Sequence, residues 1–244
     1  MKSKIIAEVG SNWEGNITTA KKIITECKKA GADAVKFQMW RAKDLYKPTH
    51  PSWKIIKKSE LRFEQVKKLK EFSDKKNIEF FCSVFYPEAV TYLEKIGVKR
   101  YKVASRTCIF NDPHSLETLK KISETGKPVI ISMGMGGNKK KIQQIFSKNK
   151  KIFCYCISDY PLDVNKIKWK KALNFDGFSD HTEGISSPII YATMKKSLKS
   201  KNILIEKHVK LSTSEGPDAA TSIDISQLSE LVKYTRIIEK MQIS

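Results

Sequence analysis

Eight short apolar runs recur along this chain, each followed by a stretch of helical period. That alternation constrains the fold more than any other feature. The strand-like runs fall at 5–9, 34–39, 79–85, 101–104, 128–132, 152–157, 177–180 and 203–207. Helical patterns fill 18–30, 60–75, 87–96, 114–124, 138–147, 164–172, 186–198 and 225–240. Strands that alternate with helices build a parallel sheet. Eight such units in 244 residues match a single closed barrel, which typically takes about 250 residues. The expected fold is therefore α/β, one (β/α)8 TIM barrel over residues 1–244, with no composition break to mark a second domain. An open doubly wound sheet is the alternative, but no Gly-x-Gly-x-x-Gly follows the first strand, and that removes its main support.

Turn chemistry agrees with this division. Gly31 and Gly126 each stop a helical pattern just before a strand, where a left-handed residue closes the last turn. Asn111-Asp112-Pro113 predicts a helix opened by a cap and a first-turn proline. The segment 43–59, with Pro48, His50, Pro51 and Trp53, exceeds an ordinary strand-to-helix connection. It is expected to lie on the catalytic face as a lid, with Trp53 and Lys54 as its working residues.

The chain has 46 Lys and Arg against 26 Asp and Glu, a net charge of +20. A nucleic-acid partner is nevertheless not expected. Only Arg41, Arg62, Arg100, Arg106 and Arg236 carry the guanidinium fork that base and phosphate recognition favour. The lysines spread over nearly every helical pattern, as on a solvated face that draws in anionic substrates. Five cysteines (Cys27, Cys82, Cys108, Cys154, Cys156) lie mostly in apolar runs, which predicts buried thiols and no disulfide framework. No apolar run reaches the roughly 18 residues of a membrane span. Met1-Lys2-Ser3-Lys4 leads straight into a strand, so no signal peptide and a cytoplasmic location are expected.

Polar residues gather where these strands end. They are Glu8, Lys36 and Gln38, Ser83, Lys102 and Ser105, Ser132, Ser158 and Tyr160, Ser179 with Asp180 and His181, and Glu206 with His208. Barrel strands are otherwise apolar inside, and the active site of this fold sits at the C-terminal mouth. Residues two apart share a face, so Lys36 pairs with Gln38 and Glu206 with His208, while Lys207 points the other way. Burying Lys36 and Lys102 without partners would be costly. Either Glu8 and Glu206 pair with them, or both lysines hold an anionic substrate such as a phosphate or carboxylate, helped by the hydroxyls of Ser105, Ser132 and Ser179.

His181 and His208 close the seventh and eighth runs. Adjacent parallel strands lie about 5 Å apart, so the two imidazoles can share one metal ion. Nitrogen and oxygen donors without thiolate suit Mn²⁺ or Mg²⁺, with water or substrate oxygens completing the shell. His50 and His114 are expected to be peripheral.

Several segments together resemble the sialic acid synthases, the family of N-acetylneuraminate, legionaminate and pseudaminate synthases. They are Ile6-Ala7-Glu8-Val9-Gly10-Ser11-Asn12, Gly31-Ala32-Asp33-Ala34-Val35-Lys36-Phe37-Gln38, Tyr101-Lys102-Val103-Ala104-Ser105, the run from Gly126 to Met135, Ser179-Asp180-His181-Thr182, Ile205-Glu206-Lys207-His208 and Gly216-Pro217-Asp218. The resemblance covers nearly the whole chain, in order. It implies a metal-dependent transferase of carbohydrate biosynthesis that condenses phosphoenolpyruvate with an N-acylated amino-hexose and releases phosphate. By position, His181 and His208 would hold the metal, and Lys36, Lys102, Ser105, Ser132 and Ser179 the phosphoenolpyruvate. Glu8, Gln38, Tyr160 and Asp218 would face the sugar or the reacting carbons. Glu8 or Glu206 would manage the protons.

Three departures bear on the sugar. The antifreeze-like domain that the family appends is expected to be absent, which predicts an open sugar site with weak or broad acceptor use and, as partners, a homo-oligomer or a separate partner protein. Arg106-Thr107 stands where Gly-Glu is usual, and Ser158 where Asn is common. Arg106 is expected to supply a replacement basic contact. A synthase of the octulosonate type, or a non-catalytic barrel that binds sugar phosphate, are the competing readings.

Overall fold

The computed structural model describes residues 1–242. Eight parallel strands close into a barrel in sequence order: β1 (Lys2–Glu8), β2 (Ala34–Met39), β3 (Glu79–Val84), β4 (Tyr101–Val103), β5 (Val129–Ser132), β6 (Lys151–Tyr155), β7 (Gly177–Asp180) and β8 (Asn202–His208). The outer helices are α1 (Ile17–Lys29), α2 (Ala42–Leu45), α3 (Trp53–Lys58), α4 (Phe63–Lys75), α5 (Pro87–Lys95), α6 (Ser115–Glu124), α7 (Lys139–Ile145), α8 (Trp169–Ala172), α9 (Ser186–Ser197) and α10 (Ile225–Lys240). The closed (β/α)8 barrel anticipated from the alternation is the observed fold. No helix among the described residues is long and apolar enough to cross a membrane.

Local chemistry sets the elements. In α1 the Asn16 side chain accepts from the Thr18 and Thr19 amides, and Ala20, Ile23, Ile24 and Cys27 bury one stripe. Asp224 and Gln227 close a capping box at the start of α10. Two expectations fail. Residues 164–172 form a 3-10 turn and the single helical turn α8, because the Lys168 amide donates to the Tyr155 hydroxyl at 2.9 Å. The Asp112 side chain does not cap α6. His114 occupies that position without a side-chain bond, and Asp112 is drawn away by Arg106.

The barrel interior is layered. An apolar middle layer joins Ile6, Ala34, Phe81, Ile130, Cys154 and Leu204. Below it, at the N-terminal strand ends, Glu79 takes Lys4 at 2.5 Å and Arg100 at 2.5 Å. Burial raises the Glu79 carboxyl, but these two cations prevail and its pKa is lowered. A depressed folded pKa gives stability that is fully present above the ordinary carboxylate value and is lost as the pH falls through the lowered folded value. Because the cluster is partly solvated, Glu79→Gln should cost only about 1 kcal/mol at neutral pH. That difference from wild type should be smaller in melts at pH 3. An equal difference at both pH values would show that the ion pairs are not its source.

Candidate active site

Of the fifteen residues singled out from the strand ends and the resemblance, all but Asp180 line one cavity of about 740 Å³ at the C-terminal mouth. Strand register places them. Glu8 lies beside Lys36 on one side and His208 on the other, Ser83 beside Lys102, and Ser179 beside Glu206.

The floor of the cavity is a buried charge network. Lys36 contacts Glu8 Oε2 and donates to Ser83 Oγ at 2.8 Å, with Glu206 Oε2 at 3.9 Å. Lys102 donates to Glu206 Oε1 at 2.5 Å, and Ser179 Oγ donates to the same oxygen at 2.8 Å. Gln38 donates to Glu8 Oε1 at 2.6 Å. The two carboxyls differ. Burial raises both, yet Lys102 and Lys36 outweigh it at Glu206 and pull it down to about 2. At Glu8, burial outweighs Lys36, with Glu206 adding to it, and the pKa goes up. Lys102 is held firmly in its charged form, since Glu206 overcomes the cost of burial.

Both lysines therefore have carboxylate partners. The lining carries Glu8, Glu206, Asp112 and Asp218 against Lys36, Lys102 and Arg106. With every carboxylate ionised the mouth has no excess positive charge of its own, despite the +20 of the whole chain. Of the two arrangements weighed for the lysines, the pairing with Glu8 and Glu206 is the one observed.

Above this floor stand the imidazoles. The His181 and His208 rings are 5.5 Å apart, and the Tyr160 ring lies 4.2 Å from His181. His181 Nδ1 sits 2.6 Å from the Ile157 carbonyl oxygen. With Nδ1 as donor, Nε2 keeps its lone pair, the arrangement found for metal-bound imidazole. His208 Nδ1 is buried without a partner. Burial pulls the His208 pKa down to about 3, so that ring is neutral near pH 7.

Among the described residues no group of three or more His, Cys, Asp or Glu side chains is set to hold a metal. The two imidazoles fit an ion whose remaining shell is water or substrate oxygen.

The rim is built by loops. Asp218 Oδ2 accepts from the Ser11 amide at 2.8 Å and the Ser11 hydroxyl at 2.7 Å. Gly10, at φ +52°, makes room: a Cβ there would stand 2.5 Å from Asp218 Oδ2. Ser105, Cys156 and Ser158 meet over Gly134, where a Cβ would lie 3.0 Å or less from each. Ser132 Oγ is buried without a partner.

The 43–59 segment does cover the catalytic face. Leu45, Tyr46, His50 and Ile56 line the cavity, so His50 is not peripheral. Trp53, expected to face substrate, instead packs on the cluster of Trp40, Ala42, Ile56 and Phe85, and neither it nor Lys54 lines the cavity. Arg106 is not free for a substrate. Asp112 takes its fork at 2.9 and 2.7 Å, and Leu45 O accepts at 3.2 Å.

Sequence reasoning passed over Ser11, Tyr46 and Cys156. Cys156 Sγ lies 3.8 Å from His181 Nδ1 and 3.7 Å from Ser105 Oγ. Burial opposes charge on both partners, but the attraction between Cys156 and His181 prevails. The thiol pKa goes down and that of His181 up. The signal was the alternation of Cys154 and Cys156 on one face, which sends the second into the mouth.

Residues 23–244 match the model of the NeuB family. An uncharacterized protein of Methanocaldococcus jannaschii is 34% identical over 249 residues, covering 97% of this chain and 71% of that protein. The N,N'-diacetyllegionaminic acid synthase of Campylobacter jejuni is 30% identical, with 98% and 77% covered. Among solved structures, the N-acetylneuraminic acid synthetase of Leptospira borgpetersenii, crystallised with citrate, superposes with a TM-score of 0.87. It is 28% identical, and 98% of this chain and 85% of that one are covered.

Proposed function

Because this chain belongs to the NeuB family, we propose that it condenses phosphoenolpyruvate with an N-acylated amino-hexose, forming a nine-carbon 2-keto sugar acid and phosphate. The observation that carries this reading is the stacking of two layers in one cavity. Lys102 and Lys36 lie on its floor, each fixed by a carboxylate, and the paired imidazoles stand above them.

In the balanced reaction, carbon 3 of phosphoenolpyruvate bonds to the aldehyde carbon of the open-chain sugar. Water adds at carbon 2, phosphate leaves with the bridging oxygen, and the aldehyde oxygen takes up a proton. Lys102 donates to Glu206 alone among the described residues. An ammonium has three donors, so two remain for the carboxylate or phosphate of phosphoenolpyruvate. Lys36 is more fully engaged, by Glu8 and Ser83. Its charge adds to the field that holds the anion. Ser132, whose hydroxyl has no partner, and Ser105 add donors. Holding both substrates in one cavity raises their effective concentration.

The two carboxyls take different roles. Glu206, held ionised near neutral pH, fixes Lys102 and Ser179. Glu8, whose pKa burial raises, is assigned the proton exchange with the aldehyde oxygen. Lys36 beside it stabilises the carboxylate left behind. Asp218, Tyr160 and Gln38 border the space for the sugar.

His181 and His208 would hold one Mn²⁺ or Mg²⁺, which supplies Lewis-acid polarisation of the aldehyde. A divalent ion also gives a mouth without excess positive charge the attraction that phosphoenolpyruvate needs.

The test measures phosphate release from phosphoenolpyruvate with a panel of N-acyl amino-hexoses, in Mn²⁺ and in Mg²⁺. At least one sugar should release one phosphate per 2-keto acid formed. No release above the sugar-free control across the panel, with either ion, would overturn the reading.

A further inference from the structure

Behind the two histidines lies a buried ion pair to which the proposed chemistry gives no part. Asp180 immediately precedes His181, and Lys207 immediately precedes His208. The register sets Asp180 opposite Lys207 across β7 and β8. Side chains alternate along a strand, so these two point away from the mouth while the histidines point into it. Both side chains are fully buried, with Lys207 Nζ 2.7 Å from Asp180 Oδ2. The same ammonium donates to the Thr182 carbonyl oxygen. Asp180 Oδ1 accepts from the Thr182 amide at 3.1 Å and the Thr182 hydroxyl at 2.9 Å. The His181 carbonyl oxygen is itself held by the Leu162 amide at 2.9 Å and the Thr221 hydroxyl at 2.6 Å.

We propose that Lys207 and Asp180 are positioning residues: a clamp that sets the spacing of His181 and His208 for a shared divalent cation. This rests on the metal reading above. A buried ion pair is a poor source of net stability, because desolvation consumes the attraction and apolar residues of similar shape often do as well. What it does impose is one relative placement of the two strand tips. Metal ligation needs that, since bond lengths must hold to within about 0.2 Å. The clamp joins the residue before one imidazole to the residue before the other, and Thr182 ties in the residue after His181. A change on either strand is therefore passed to the inter-imidazole distance.

The test titrates the full chain with Mn²⁺ alone by calorimetry and records thermal melts beside it. Wild type should bind one ion, and His181→Ala/His208→Ala none. In Lys207→Met/Asp180→Leu, affinity should fall about 10–100-fold, the usual effect of losing a group that orients a ligand. Its melting temperature should stay near that of wild type. Wild-type affinity in this variant overturns the clamp. If the variant does not fold, Asp180→Asn, which keeps the side-chain shape, decides. Folded protein with weakened binding supports the clamp, and folded protein with unchanged binding overturns it. A wild-type chain that binds no Mn²⁺ overturns the metal reading and the clamp with it, an outcome distinct from a clamp that fails while wild type binds.

Discussion

Exhaustive chelation is expected to abolish phosphate release, and Mn²⁺ to restore it, whereas His181→Ala/His208→Ala should stay inactive at any Mn²⁺ concentration. The expectation follows from the donor set. The protein offers two imidazoles whose rings are 5.5 Å apart and no third metal-binding side chain grouped with them among the described residues. With so few protein ligands, losing one imidazole removes half of the anchorage and losing both removes all of it. The second-row contacts do not compensate, because Ile157 and the surrounding backbone orient His181 but cannot ligate in its place. The stability cost of the double variant should be modest. His208 Nδ1 is already without a partner, so no buried group on that side loses its bond. An inactive enzyme with near-native melting is therefore the expected signature. Full activity after chelation, or in the double variant, would show that the aldehyde is activated by hydrogen bonding alone.

Much of this site was legible in the sequence because a parallel barrel converts alternation into location. A polar residue on the inward face at the C-terminal end of a strand has one place to go, and of the fourteen strand-end residues all but Asp180 meet in one cavity. The runs at 34–39 and 177–180 coincide with β2 and β7, since Gly31 and Gly177 leave little freedom in where those strands begin. What could not be read was which charge meets which. Glu8 and Lys36 are neighbours in register, but Lys102 and Glu206 reach each other across the barrel, from β4 and β8. No local pattern encodes a contact 104 residues apart. The rim was misread for a related reason. Arg106 and Asp112 satisfy each other and tie to Leu45, so the loop charges that looked available for substrate are spent on holding the α2 segment. The helix cap assigned to Asp112 was lost to Arg106, and the lid role assigned to Trp53 to its packing on Trp40, Ala42, Ile56 and Phe85.

The charge network also predicts a large and separable effect at Lys102. Lys102→Ala should destabilise the fold by about 3–5 kcal/mol in urea unfolding, the usual cost of stranding one member of a buried pair. Glu206 would keep Ser179 at 2.8 Å and Lys36 at 3.9 Å, too little to hold a buried carboxylate ionised. Adding Glu206→Gln to Lys102→Ala should recover part of that stability, because a neutral amide needs no counter-charge. Phosphoenolpyruvate affinity should behave differently. If Lys102 donates to the substrate anion, its removal weakens binding by about 2–5 kcal/mol, and Glu206→Gln does not restore it. Calorimetric titration of both variants with phosphoenolpyruvate separates the two roles. A variant that regains stability but not affinity identifies Lys102 as a substrate-binding residue. Unchanged affinity in Lys102→Ala would mean that the lysine serves only Glu206, and that the anion is held by the hydroxyls and the metal.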